Sequence, residues 1–317
     1  MADVKSVRPG WFNLFRPWTL HGAVVPVLIG WAVAFREGLF DASDALSWSV
    51  LALVLTGGCL LQSAANILNT YGDFVKGTDT VENETRSPEL VAGTLSKEKA
   101  LSAGLACLGA TVLIGLILIW YSDWGILVYG LLGMAGAGLY TVGISYKYHG
   151  FGQASVFLMM GVLMPLGTYH EFGGGFSMDT LLIGLPNAFM ITGVLCGNEL
   201  RDYYEDKKVH VGTLCGHMSY GNAKWTYHAE NLIGYPILAA LIMTGAAPWP
   251  CALAFLALYD AYRMASNARR ASADPGCNRL LVPRAFTHNW HFGVLLVVGY
   301  LLADHAIGAF RYGRGRA

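Results

Sequence analysis

Charge is what this sequence has least of. Only 13% of its 317 residues are Asp, Glu, Lys or Arg, against about 25% in an ordinary soluble domain. Hydrophobic residues make up 54% and the mean hydropathy is +0.44, so the composition excludes a typical water-soluble globule and points to an integral membrane protein. Formal net charge is zero, which leaves no global basic field for nucleic acid. Cysteine is sparse: Cys59, Cys107, Cys196, Cys215, Cys251 and Cys277 form no C-x-x-C pair and lie mostly in apolar runs. That pattern excludes a zinc or disulfide framework and leaves buried free thiols. Gly-x-Gly-x-x-Gly and Walker patterns are absent, which argues against nucleotide-driven transport. No low-complexity segment or soluble domain is visible. The chain reads as one integral-membrane domain, 1–317, with a short polar segment at 1–15 and a basic tail at 304–317.

What the sequence has in quantity is long uncharged runs. A bilayer core needs about 20 apolar residues per helix. Segments 17–35, 45–72, 100–122, 124–146, 148–170, 180–198 and 285–303 meet that length. A further run, 231–259, is split by Ala246-Ala247-Pro248-Trp249-Pro250, which reads as a turn between two helices extending past Glu230 and Asp260. Nine spans result. Ala32-x-Ala34 has the small residues of a cleavage site, but Pro26 and the later spans favour a first membrane helix over a removed signal. With the N-terminus inside, 17 of the 21 basic residues fall on inner segments, a strong positive-inside bias. Arg36 and the C-terminal Arg311, Arg314 and Arg316 fall outside.

Two acidic motifs land on that same inner face: Asn69-x3-Asp73 with Asp79 beyond, and Asn198-x3-Asp202-x3-Asp206. Residues i and i+4 share a helix face, so Asn69 and Asp73 are expected to project together, as are Asn198, Asp202 and Asp206. Gly77 is expected to turn the chain so that Asp79 folds back. Mg²⁺ takes hard oxygen ligands, typically one or two carboxylates plus substrate phosphates. Two facing clusters suit metals that neutralise a diphosphate, whereas a single such motif is equally an ordinary solvated helix end. Lys76, Arg86, Lys147, Arg201 and Lys207 lie among the acids, either as phosphate ligands or as interfacial anchors. Tyr71, Tyr140, Tyr146, Tyr203 and Tyr204 are candidates for stabilising a carbocation or for an interfacial belt. His288 and His291, three apart, lack a third ligand and read as polar helix-start residues.

Asn69-Thr-Tyr-Gly-Asp73-Phe-Val-Lys76-Gly77-Thr-Asp79 and Asn198-Glu-Leu-Arg201-Asp202-Tyr-Tyr-Glu-Asp206-Lys207 resemble the two signatures of the UbiA superfamily of intramembrane prenyltransferases. Its 1,4-dihydroxy-2-naphthoate polyprenyltransferase branch is more similar still. That likeness adds Arg16-Pro17-Trp-Thr-Leu20, the Val25-Pro26-Val27 run, Leu90-Val-x-Gly93 after Arg86, and Leu139-Tyr-Thr-x-Gly143. The resemblance spans about residues 14–303 and implies an all-α bundle of nine transmembrane helices around a central cavity. It implies Mg²⁺ held by Asn69, Asp73, Asp79, Asn198, Asp202 and Asp206, and a polyprenyl diphosphate contacted by Lys76, Arg86, Lys147, Arg201, Asn66 and Arg16. Asp73, Asp202, Asp206 and Tyr140 would be the catalytic set, with Asp202 either positioning the acceptor or serving only the metal. The implied reaction prenylates a small aromatic acid, most closely 1,4-dihydroxy-2-naphthoate with decarboxylation, in menaquinone biosynthesis at a bacterial plasma membrane. Another acceptor, such as 4-hydroxybenzoate, haem or a chlorophyll precursor, and a cation-coupled transporter are the alternatives. The chain departs from the family pattern at His210 (often Gly), at Gln153 (commonly acidic), and at Ala285-Phe286 (usually Thr-Ala).

Overall fold

The computed structural model describes residues 10–80, 88–140 and 143–303. Every regular element among them is helical. A short helix α1 (Trp11–Phe15) and a 3-10 turn (Pro17–Thr19) lead into α2 (His21–Arg36), followed by α3 (Ala45–Val75), α4 (Lys97–Tyr121) and α5 (Ile126–Gly138). Helix α6 (Gly152–Val156) continues through a π-helical stretch (Phe157–Leu163) into α7 (Met164–Glu171). After α8 (Met178–Arg201) and α9 (Tyr203–Lys208) come α10 (Tyr220–Leu232) and α11 (Gly234–Thr244). A 3-10 segment (Trp249–Ala257) then runs into α12 (Leu258–Arg270), and α13 (Pro275–Arg279) precedes α14 (Leu281–Leu302).

Five helical segments are long and apolar enough to cross a membrane: Trp11–Arg36, Ala45–Val75, Lys97–Tyr121, Met178–Arg201 and Leu281–Leu302. The other four expected spans, in three runs, take another form. The run at 124–146 gives a helix of only 13 residues, because α5 ends at Gly138. The run at 148–170 starts at Gly152 and widens into the π-helical stretch. Pro165 is the local cause: it has no N–H, and its ring crowds the carbonyl four residues back, so the preceding turn opens. The run at 231–259 breaks at Gly245, whose φ of +78° closes α11. Helix α10 extends back past Glu230 to Tyr220, and α12 continues beyond Asp260 to Arg270.

Lipid offers no hydrophobic drive between helices, so packing relies on small residues that let backbones approach. The core of α2, α8 and α14, with Val25, Ile29, Met190, Phe292 and Leu296 fully buried, is built that way. A Cβ on Gly299 of α14 would sit 2.3 Å from the Pro250 carbonyl oxygen and 2.8 Å from the Cys251 Cα. Both are backbone atoms, so nothing flexible can yield. Gly299→Ala is therefore expected to destabilise the protein by about 1–3 kcal/mol, read as a lower melting temperature in detergent. An unchanged melt would refute this close packing.

Buried polar residues pair inside the bundle. Tyr235 and His288 share a 2.7 Å hydrogen bond, and Asn289 donates to Asn187 at 2.8 Å. His291 lies 2.6 Å from Asp260, so the two histidines have separate partners. All six cysteines are free.

The bundle has two distinct polar ends. At one, Tyr169 hydrogen-bonds Glu37, Ser122 bonds Glu171, and Arg36 stacks on Tyr300. At the other end lie the C-terminus of α3, the turn before α6, and α9. Both acidic motifs are at this second end.

Candidate active site

Helix α3 stops in a way its sequence dictates. Gly77 takes φ +74°, its N–H bonds the Phe74 carbonyl, and the Thr78 N–H bonds the Asp73 carbonyl. This is the Schellman arrangement that glycine favours just beyond a helix, and it turns Asp79 back over Asp73, with the Asp79 N–H also reaching the Asp73 carbonyl at 3.3 Å.

The second motif ends in the same way. His210 stands at φ +58°, its N–H bonds the Lys207 carbonyl, and the Val211 N–H bonds the Asp206 carbonyl. Asp206 therefore occupies in its cap the place that Asp73 occupies in the first, and His210 occupies that of Gly77. Glycine would suit this position for a backbone reason. Left-handed geometry costs a non-glycine residue about 1–2 kcal/mol, partly offset by the greater unfolded-state freedom of glycine. His210→Gly is expected to raise stability by about 0.5–1 kcal/mol, measurable by thermal unfolding. A loss of stability would contradict the cap.

The expectation that Asn198, Asp202 and Asp206 share one uninterrupted helix is corrected. Helix α8 ends at Arg201, Asp202 caps it at φ −94°, ψ 10°, and α9 begins at Tyr203. Arg201 itself drives the break, because its guanidinium folds back on its own helix end. Nε bonds Asp202 Oδ1 at 2.5 Å, Nη2 bonds Asp202 Oδ2, and Nη1 bonds Asn198 Oδ1 at 2.7 Å.

Across the site Lys147 does the same for the first motif. Its ammonium lies 2.8 and 3.0 Å from the Asp73 carboxylate and 3.2 Å from Asn69 Oδ1. Burial alone lowers the Lys147 pKa, but the Asp73 charge and hydrogen bonds more than offset it, leaving the pKa above the ordinary value. Each Asn-x3-Asp pair thus already encloses one positive charge.

Sequence reasoning missed Tyr148. Its hydroxyl donates to Asp73 Oδ1 at 2.5 Å and meets Thr78 Oγ1 at 3.2 Å. The signal was Tyr146-Lys147-Tyr148, in which only Tyr146 and Lys147 were singled out. Lys76, expected on the diphosphate, lies outside the cavity with its ammonium 4.1 Å from the Tyr148 ring centroid. Lys207 also turns aside, donating to the Tyr203 hydroxyl at 2.7 Å. Asn66 uses its amide group on the Phe15 carbonyl and the Thr19 hydroxyl, which fixes the turn that presents Arg16. Arg16 adopts φ +51° and donates to Thr70 Oγ1 at 3.0 Å. Arg86 lies outside the described residues.

One cavity of about 1010 Å³ gathers these groups. Asn69, Asp73, Asp79, Asn198, Asp202 and Asp206 all line it, as do Arg16, Asn66, Lys147, Arg201 and Tyr140. Leu61, Met159, Met160, Met164, Ile191, Val194, Leu195 and Phe286 line its apolar portion. The donor set fits a divalent cation bridged to a phosphate. Among the described residues no three His, Cys, Asp or Glu side chains form a metal cage by themselves, and Mg²⁺ typically needs only one or two carboxylates beside phosphate and water. Burial, and next the charge of Asp202, push the Asp206 carboxyl up to about 7. A bound cation would favour its ionised form.

Comparisons with known proteins bear on the family and the fold. Residues 23–303 match the model of the UbiA prenyltransferase family. The chain is 32% identical over 241 residues to a Bacillus subtilis 1,4-dihydroxy-2-naphthoate octaprenyltransferase, covering 75% of each chain. It is 31% identical over 243 residues to the Escherichia coli enzyme of that name, covering 74% of this chain and 77% of the relative. Among solved structures, a UbiA homolog from Archaeoglobus fulgidus bound to DMAPP and Mg²⁺ superposes with a TM-score of 0.63 at 14% identity, covering 90% of this chain and 98% of that one.

Proposed function

We propose, from the premise that the chain belongs to the UbiA prenyltransferase family, that it transfers a polyprenyl group from its diphosphate to 1,4-dihydroxy-2-naphthoate, with decarboxylation. The observation carrying this reading is the shared cavity, with two carboxylate motifs at its polar end and an apolar chamber continuous with them. A polyprenyl diphosphate has that same division of chemistry. The acceptor assignment draws on the two naphthoate-acting relatives.

Asn69, Asp73, Asp79, Asn198, Asp202 and Asp206 would hold Mg²⁺. Mg²⁺, when bound, neutralises the departing diphosphate as a Lewis acid. Lys147 and Arg201, released from Asp73 and Asp202, turn to phosphate oxygens, where charge-assisted bonds are strong. Arg16 adds a third cation lining the same cavity. The allylic C–O bond breaks with its electron pair leaving on the diphosphate. The Tyr140 and Tyr146 rings, 5.5 Å apart between centroids, stabilise the allylic cation through their faces. Leu195, Met159 and Met160 exclude water from it. The carboxylate-bearing ring carbon forms the new C–C bond, then CO₂ leaves with its bonding pair returning to the ring, and aromaticity returns with no net proton released.

The chain is a multi-pass membrane protein. Its basic-residue bias supports a cytoplasmic orientation of the site end, and the bacterial relatives support a plasma-membrane location. Purified protein incubated with farnesyl diphosphate, Mg²⁺ and a panel of aromatic acids tests the reading by mass spectrometry of the lipid product. Prenylated, decarboxylated naphthoquinol is the expected product. Transfer to 4-hydroxybenzoate alone would reassign the acceptor, and no transfer to any acid would reject the reading.

A further inference from the structure

One buried carboxylate in the cavity has no part in the metal or diphosphate chemistry above. Glu199, next to Asn198, is 5% exposed and lines the cavity. Its Oε2 is fixed by two donors: Gln153 Nε2 at 2.8 Å and the Cys215 N–H at 3.1 Å. Gln153 is itself 2% exposed, so this oxygen cannot swing away. Oε1 takes part in neither bond, on a residue that lines the cavity.

Gly152 marks where that oxygen points. A Cβ placed on Gly152 would lie 3.5 Å from Glu199 Oε1, 3.4 Å from the Tyr140 hydroxyl and 3.4 Å from Leu195 Cδ2. The missing side chain leaves a small niche with one carboxylate oxygen, one phenol and one apolar wall. An acceptor oxygen beside an apolar wall of the cavity gains most from a donor on the ligand, so the niche suits a ligand bringing an O–H group.

We propose that Glu199 positions the aromatic acceptor by taking a hydrogen bond from a ring hydroxyl in this niche. This rests on the prenyl-transfer reading. The anionic diphosphate is repelled by a carboxylate, so it cannot be the partner. The niche borders Leu195 of the apolar lining, while Asn198, adjacent to Glu199 in the chain, lines the polar end. It therefore sits at the junction of the polar and apolar parts of the cavity, where the reactive allylic carbon must lie. A ring held there by its hydroxyl meets that carbon.

The test compares Glu199→Gln and Gly152→Ala with wild type. It uses steady-state kinetics in both substrates, and equilibrium binding of 1,4-dihydroxy-2-naphthoate against 2-naphthoate, which lacks ring hydroxyls. Glu199→Gln is expected to raise the acceptor KM at least about tenfold, to leave the prenyl-diphosphate KM within about twofold, and to erase the preference for the hydroxylated ligand. Gly152→Ala introduces only ordinary van der Waals contacts, so it folds while filling the niche, and it is expected to shift the acceptor KM alone. Retained preference for the hydroxylated ligand in Glu199→Gln would overturn the proposal, as would equal shifts in both KM values, the mark of a purely structural role. A wild-type protein that transfers to no aromatic acid would instead reject the parent reading, and would be seen before any variant is compared.

Discussion

Asp73→Asn is expected to lower kcat by at least about 10³-fold, a loss in the range seen when one preorganised electrostatic group is removed from a transition state. Asp73 is the most heavily engaged carboxylate of the site, accepting from Lys147 on both oxygens and from the Tyr148 hydroxyl. Asparagine keeps its shape but removes the charge and one acceptor. Alanine is the poorer probe. Asp73 and Lys147 have side-chain exposures of only 9% and 16%, so alanine would strand a nearly buried ammonium, and breaking a buried pair costs about 3–5 kcal/mol. Steady-state kinetics beside a thermal melt separates the two effects. Near-normal kcat in a folded Asp73→Asn protein would remove Asp73 from the chemistry.

Lys147→Met is expected to move two affinities in opposite directions. Without diphosphate, the Lys147 ammonium occupies the oxygens of Asn69 and Asp73. Removing it frees those oxygens, so Mg²⁺ alone should bind more tightly than to wild type. With substrate present, the variant lacks a charged donor to the phosphates. Prenyl-diphosphate affinity should then fall about 10–100-fold, the equivalent of one charge-assisted hydrogen bond. Isothermal titration with Mg²⁺, and separately with Mg²⁺ plus a non-hydrolysable prenyl diphosphate, reads both shifts. If both affinities fell together, Lys147 would be a scaffold for Asp73 and not a cation that changes partners.

The apolar runs made the helical class legible, because a bilayer demands length and composition that few other environments require. Their internal shape was less legible. Pro165 leaves the run hydrophobic while opening its helix into a π stretch, and Gly138 ends α5 well before the apolar pattern ends. The turn at Gly77 was readable because one glycine at a helix end has one common use. The break at Asp202 was not, since it depends on Arg201 folding back on its own helix terminus. Lys147 and Asp73 are 74 residues apart, and no periodicity links them. Lys76 sits inside the acidic motif yet packs on Tyr148, while Asn66 braces the Arg16 turn. Proximity in sequence carries charge to the right end of the bundle without deciding which way a side chain faces. Glu199 was hidden for a related reason: it lies within a quoted motif, and only its contact with Gln153 separates it from the neighbouring ligands.

The most direct measurement is a double-mutant cycle on binding of a non-hydrolysable prenyl diphosphate, using wild type, Asp73→Asn, Asp202→Asn and the double variant, with and without Mg²⁺. If both aspartates grip one pyrophosphate through shared cations, wild-type binding requires Mg²⁺. Each single variant then loses at least about tenfold in affinity, and the double variant loses clearly less than the sum of the two. Binding that ignores Mg²⁺, or strictly additive losses from the two sites, would contradict a common diphosphate site.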